Sequence, residues 1–91
     1  MLEIVLSTRF KKDLKLARKR GLNLKLMDEV VKTLAAQQPL DVNYHDHPLS
    51  GNYEGFRECH ILSDWLLIYR ADDEDLFLFL TRTGTHSDLF E

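Results

Sequence analysis

A single cysteine, Cys59, excludes an intrachain disulfide. Such sparing use fits a reducing compartment, so a cytoplasmic location is expected. No apolar run approaches the length of a membrane span. The opening stretch, Met1–Leu6, is apolar, but it is short for a signal segment and has no basic flank. Four histidines are present without a C-x-x-C or H-E-x-x-H pattern, so no zinc site is expected. P-loop, G-x-G-x-x-G and nucleophile-elbow motifs are missing as well. Repeats, low-complexity segments and linkers are absent. The 91 residues have the apolar and charged fractions of an ordinary globular protein. One domain with one modest core, residues 1–91, is expected.

Net charge is small, at −3, but its distribution is uneven. Residues 1–40 hold nine Lys/Arg against four Asp/Glu, and residues 41–91 hold three against eleven. Within the basic half, Lys11, Lys12, Lys15, Arg18, Lys19 and Arg20 crowd one stretch. A stripe of this kind attracts a polyanion whatever the total charge. The plainer reading is a solvated helix face.

Leu2–Leu6 reads as a short strand. Phe10, Leu14 and Ala17 recur at helical spacing after a Ser7/Thr8 cap, and Gly21 is placed to end that helix. Asn23 can cap a second helix, with Met27, Val30, Val31, Leu34 and Ala35 inward and Pro39 stopping it. Residues 39–52 read as a polar connection. Three strands follow, at Tyr53–Ile61, Trp65–Arg70 and Leu76–Arg82, then a tail from Thr85 to Phe90. The expected fold is α+β, in the order β-α-α-β-β-β. A two-helix hairpin packs on one face of a mostly antiparallel twisted sheet.

The chemistry-bearing residues lie late in the chain. Strand alternation puts Glu58 and His60 on one face and Cys59 and Ile61 on the other. The Cys59 face should join the helices in the core, which argues against a catalytic thiolate and leaves the Glu58/His60 face open. A carboxylate beside an imidazole can share proton transfer. It can equally be a surface ion pair of little energetic consequence. Asp64 is either a turn former or a base, and Trp65 is either core or a platform. Arg82, ahead of Thr83-Gly84-Thr85-His86, can cradle a phosphate. Phe90 can seal the core edge or stack on a base. His45, His47 and His60 would be the ligands of a metal-dependent hydrolase; chelator-insensitive activity would exclude that reading.

Three segments together resemble a known family: His47-Pro48-Leu49-Ser50-Gly51, Gly55–His60 with Asp64–Tyr69, and Arg82–Phe90. They resemble the YafQ branch of the RelE-like bacterial toxins of type II toxin–antitoxin modules. The likeness covers nearly the whole chain. It implies a ribosome-dependent endoribonuclease that cuts mRNA in the ribosomal A site without a metal or cofactor. It also implies a cognate antitoxin as partner, operator DNA met only through that antitoxin, ribosomal RNA contacts along the basic helices, and no membrane. Carried onto this chain, the functional set is His47, Glu58, His60, Asp64, Arg82, His86 and Phe90, with Trp65 beside them. Glu58 stands where the best-known member has aspartate, Ser63 replaces a proline, and the acidic turn 72–75 looks longer. A toxin-like module that has lost catalysis and acts only in a repressor complex is the alternative; growth arrest on expression without antitoxin separates the two.

Overall fold

Ser7 fixes the first helix to the last strand. Its Oγ accepts from the Phe10 amide at 2.9 Å and donates to the Thr81 carbonyl at 2.7 Å. A cap of this kind contributes about 1 kcal/mol. A computed structural model describes all 91 residues. The chain runs β1 (Glu3–Leu6), α1 (Thr8–Lys19), α2 (Leu24–Ala35), β2 (His47–Pro48), β3 (Arg57–Leu62), β4 (Trp65–Asp72), β5 (Phe77–Gly84) and α3 (His86–Phe90). No helix is long and apolar enough to cross a membrane.

Both long helices end in the same motif. Leu22 N–H donates to Ala17 O and Gly21 N–H to Arg18 O; in α2, Gln38 N–H donates to Thr33 O and Gln37 N–H to Leu34 O. These are the paired bonds of a Schellman stop, which needs a left-handed residue. Gly21 supplies it freely, whereas Gln37 adopts it at φ 59° with a side chain attached. The second helix is therefore ended by Gln37, and Pro39 lies beyond the stop.

The five strands lie in the order β1-β5-β4-β3-β2. Only the β1–β5 pair is parallel. Strand β5 has partners on both sides, which explains its apolar run. Leu78 and Leu80 face the helices with Cys59, Ile61, Trp65, Leu67 and Tyr69. Burial pushes the Cys59 thiol up to about 12, so it stays protonated as a small core residue.

Two expectations are corrected. Residues 86–90 of that tail are helical, because Thr85 and Asp88 form a reciprocal capping box. The face opposite α1 and α2 is also not open. Leu49, Tyr53 and Phe56 fold back with Leu89 over Leu66 and Ile68, making a second small core. The third strand accordingly starts at Arg57, since residues 51–53 form a 3-10 turn of this cover.

Candidate active site

The strand register sets the frame. His47 is opposite Glu58, Glu58 opposite Ile68, and Ile68 opposite Arg82, so these four form one row. His60, Leu66 and Gly84 form the next. Neighbouring strands are about 4.8 Å apart, so the Glu58 and Arg82 backbones are separated by about 10 Å. Ile68 between them is fully buried under the second core. The polar groups thus form a rim around an apolar boss.

On one side of the rim, His47 Nε2 is 3.3 Å and His60 Nε2 3.7 Å from Glu58 Oε1. The Glu58 side chain is only 7% exposed, against 45% for His47. Its second oxygen, Oε2, is buried without a hydrogen-bond partner. The His47 Nδ1 atom lies 2.6 Å from the His45 carbonyl and must donate to it. Its Nε2 can then meet the carboxylate only through a proton carried by the imidazole or by Glu58. The cluster sets a buried carboxylate against two imidazoles, and the imidazoles, not the carboxylate, reach solvent.

Asp46 holds that side in place. It accepts from Tyr69 Oη at 2.6 Å and from Arg57 at 3.3 and 3.4 Å. Tyr69 and Arg57 are a cross-strand pair, so a loop residue flanked by two histidines is pinned to the sheet. Burial, then the Asp46 carboxylate, push the Tyr69 phenol up, so it remains a donor.

The other side is organised by α1 and α3. Asp13 Oδ2 accepts from Arg82 Nε at 2.8 Å and from the Thr83 amide at 3.1 Å, and its Oδ1 from Arg82 Nη2 at 3.3 Å. These bonds, chiefly, raise the Arg82 guanidinium above its ordinary value, despite opposing burial. The Nη1 edge stays unengaged by Asp13. His86 is exposed at the start of α3, where its amide donates to Asp64 Oδ1 at 3.0 Å. Its ring lies 4.9 Å from Phe90, which meets Tyr53 at 5.9 Å.

The structure thus brings His47, Glu58 and His60 into contact, and separately Asp64, His86 and Phe90. No hydrogen bond or ion pair joins Arg82 to the imidazole cluster. Trp65 is corrected: at 2% exposure, on the helix side, it cannot touch RNA. Its Nε1–H donates to Thr83 Oγ1 at 2.9 Å, and it supports β5 from beneath. Asp64 has its carboxylate on a backbone amide and acts first as a cap. Lys11, Lys12, Lys15, Arg18 and Lys19 are exposed, but Arg20 is engaged with Asp88 at 2.6 Å. Asp13, Asp46 and Tyr53 escaped sequence reasoning. An acid inside a basic helix reads as an intrahelical charge pair, and Asp46 among histidines reads as loop polarity. For Tyr53 no local signal exists.

Asp88 anchors α3. It is held by Arg20 and by the Thr85 amide and hydroxyl, which keep its carboxyl well below the usual carboxylate range. Gly84 has no side chain to spare there: a Cβ would sit 2.8 Å from Asp88 Oδ2. The folded carboxyl gives up its proton more readily than the unfolded one. Its stabilisation is therefore complete above the unfolded value near ~3.9 and is lost as pH falls toward the folded value. The Arg20 partner is partly exposed, so solvent screening limits the contribution to about 1 kcal/mol. Urea melts of wild type and Asp88→Asn should differ by a constant amount above about pH 5, and the difference should shrink steadily as pH falls from there toward the folded value.

A mixed sheet with two helices on one face is the fold of solved bacterial toxins of the YafQ kind. Residues 2–91 match the family model for the bacterial toxin of type II toxin–antitoxin systems, YafQ. The chain belongs to the YafQ family. The mRNA interferase toxin YafQ of Escherichia coli K12 is 39% identical over 97% of this chain and 95% of that one. A metal-bound toxin from Helicobacter pylori has a TM-score of 0.93 and 50% identity, over 99% of this chain and 100% of the other. The toxin in the E. coli DinJ–YafQ toxin–antitoxin complex has a TM-score of 0.89 and 38% identity, over 99% and 98%. The metal belongs to the H. pylori protein. In this chain no group of three His, Cys, Asp or Glu side chains is placed to hold one.

Proposed function

We propose that this chain is an endoribonuclease toxin that cuts mRNA on the ribosome and is neutralised by a cognate antitoxin. The curated E. coli relative is an mRNA interferase, and a relative of known structure is bound to its antitoxin DinJ. The observation that carries the reading is the rim. His86 is exposed four residues after Arg82, on α3, whose Leu89 packs on the sheet face that carries His47, Glu58 and His60.

The 2′-oxygen of one nucleotide attacks the adjacent phosphorus, and the 5′-oxygen of the next nucleotide leaves. An imidazole of the His47–Glu58–His60 cluster takes the 2′-proton, and the buried carboxylate stabilises the imidazolium that results. Arg82, anchored by Asp13, donates from its remaining N–H groups to the phosphorane-like oxygens. His86 returns a proton to the leaving oxygen. No step is routed through a metal. The exposed lysines of α1 meet ribosomal phosphates, which makes binding salt-sensitive. Any operator contact is made through the antitoxin complex.

Primer extension on mRNA translated in vitro with the purified protein tests this. Cuts in register with the reading frame, and weak cutting of the same RNA without ribosomes, are expected. Intact message, or equal cutting of naked RNA at physiological salt, overturns the reading.

A further inference from the structure

Residues 41–91 contain only three cationic side chains among eleven acids, and two of the three are already paired: Arg57 with Asp46 and Arg82 with Asp13. Arg70 has no carboxylate partner and no hydrogen bond. Its guanidinium lies 4.4 Å above the Phe79 ring centroid. Stacking of this kind leaves the N–H edge of a guanidinium free to grip a planar or tetrahedral anion. Arg70 and Phe79 are a cross-strand pair, and Val5 is paired with Phe79 in turn. The row Val5–Phe79–Arg70 lies on the Ile68 face, two residues along β4 from Ile68, which is about 7 Å from the Glu58–Ile68–Arg82 row.

A cavity of about 300 Å³ opens there, with Val5, Phe56 and Phe79 as apolar walls and Ser7 and Thr81 as polar ones. It is the right kind of space for one aromatic base with a cation at its mouth. The acidic turn Asp72–Asp75 begins two residues after Arg70, and two of its amides are satisfied by Asp72 Oδ1. A polyanion meeting Arg70 is repelled from that end and directed back along the sheet toward Arg82.

We infer that the Phe56–Arg70–Phe79 cavity is a subsite for a nucleotide flanking the cleaved bond, with its phosphate on Arg70 and its base against the two phenyl rings. This rests on the nuclease reading for its place in the reaction, but not for its occupancy. The test therefore uses a short single-stranded RNA oligonucleotide that is 2′-O-methylated throughout and cannot be cut. Backbone amide NMR of the full chain should show shifts at Val5, Phe56 and Phe79 on titration. Arg70→Gln should weaken binding about tenfold. It should also flatten the dependence of log K on log salt by about 0.7, the loss of one phosphate contact on a single strand. Phe79→Leu, which keeps an apolar side chain, should weaken binding while leaving the salt slope intact. Arg82→Ala should lower cleavage on ribosomes by about 10²–10³ yet preserve the shifts at the cavity. Unchanged affinity and slope in Arg70→Gln, or shifts confined to α1, overturn the subsite. So does perturbation of these amides by purified antitoxin but not by RNA. Cleavage without cavity binding defeats the subsite alone, whereas cavity binding without cleavage on ribosomes defeats the nuclease reading alone.

Discussion

Arg82→Ala should lower turnover on ribosome-bound mRNA by about 10²–10³, the usual loss when one preorganised donor to a developing oxyanion is removed. The guanidinium is held by two bonds to Asp13 with both side chains largely buried, at 12% and 13% exposure. It therefore requires little reorganisation when charge appears on the phosphate. Two further variants separate charge from placement. Arg82→Lys keeps the charge but cannot reproduce the forked contact with Asp13, so it should restore only part of the rate. Asp13→Asn keeps Arg82 intact but weakens its anchor, and about a tenfold loss is expected. Asp13 also accepts from the Thr83 amide, so each variant needs a denaturation curve alongside the kinetics. A folded Arg82→Ala protein that cuts within threefold of wild type removes arginine from the mechanism.

His86→Ala should cost on the order of 10²–10⁴ in turnover, the range for a positioned general acid. The substitution leaves the anchoring bond in place, because Asp64 accepts from the backbone amide of residue 86 and not from its ring. Stability should therefore change little, and a rate loss reports chemistry. The pH profile carries the sharper test. An acid must be protonated to donate, so its limb falls as pH rises; a base must be free, so its limb falls as pH drops. With one group acting as acid and another as base, wild type should show a bell. His86→Ala should lose the alkaline limb and keep the acidic one. Persistence of both limbs would transfer the acid role to another group.

The sequence reading reached the strands and helices because their signals are local. The Phe10–Leu14–Ala17 stripe and the Asn23 cap are periodic or short-range features. At residues 86–90 it missed a local signal, the Thr85–Asp88 capping box, whereas at residues 49–56 the reason is tertiary. Leu49, Tyr53, Phe56 and Leu89 are scattered apolar residues with no shared period, and only their meeting over Leu66 and Ile68 gives them a role. Glu58, which alternation alone had left on an open face, is buried.

What the chain determined by itself was its class: the apolar periods, the helix stops, the split of charge, and which side chains share a strand face. Those are properties of neighbours a few residues apart. Tertiary structure decided which carboxylate holds which donor. Asp13 and Arg82 are 69 positions apart, Arg20 and Asp88 are 68, and Tyr69 and Asp46 are 23. Pairings at such separation depend on strand order and register, which fix distances that no local spacing encodes.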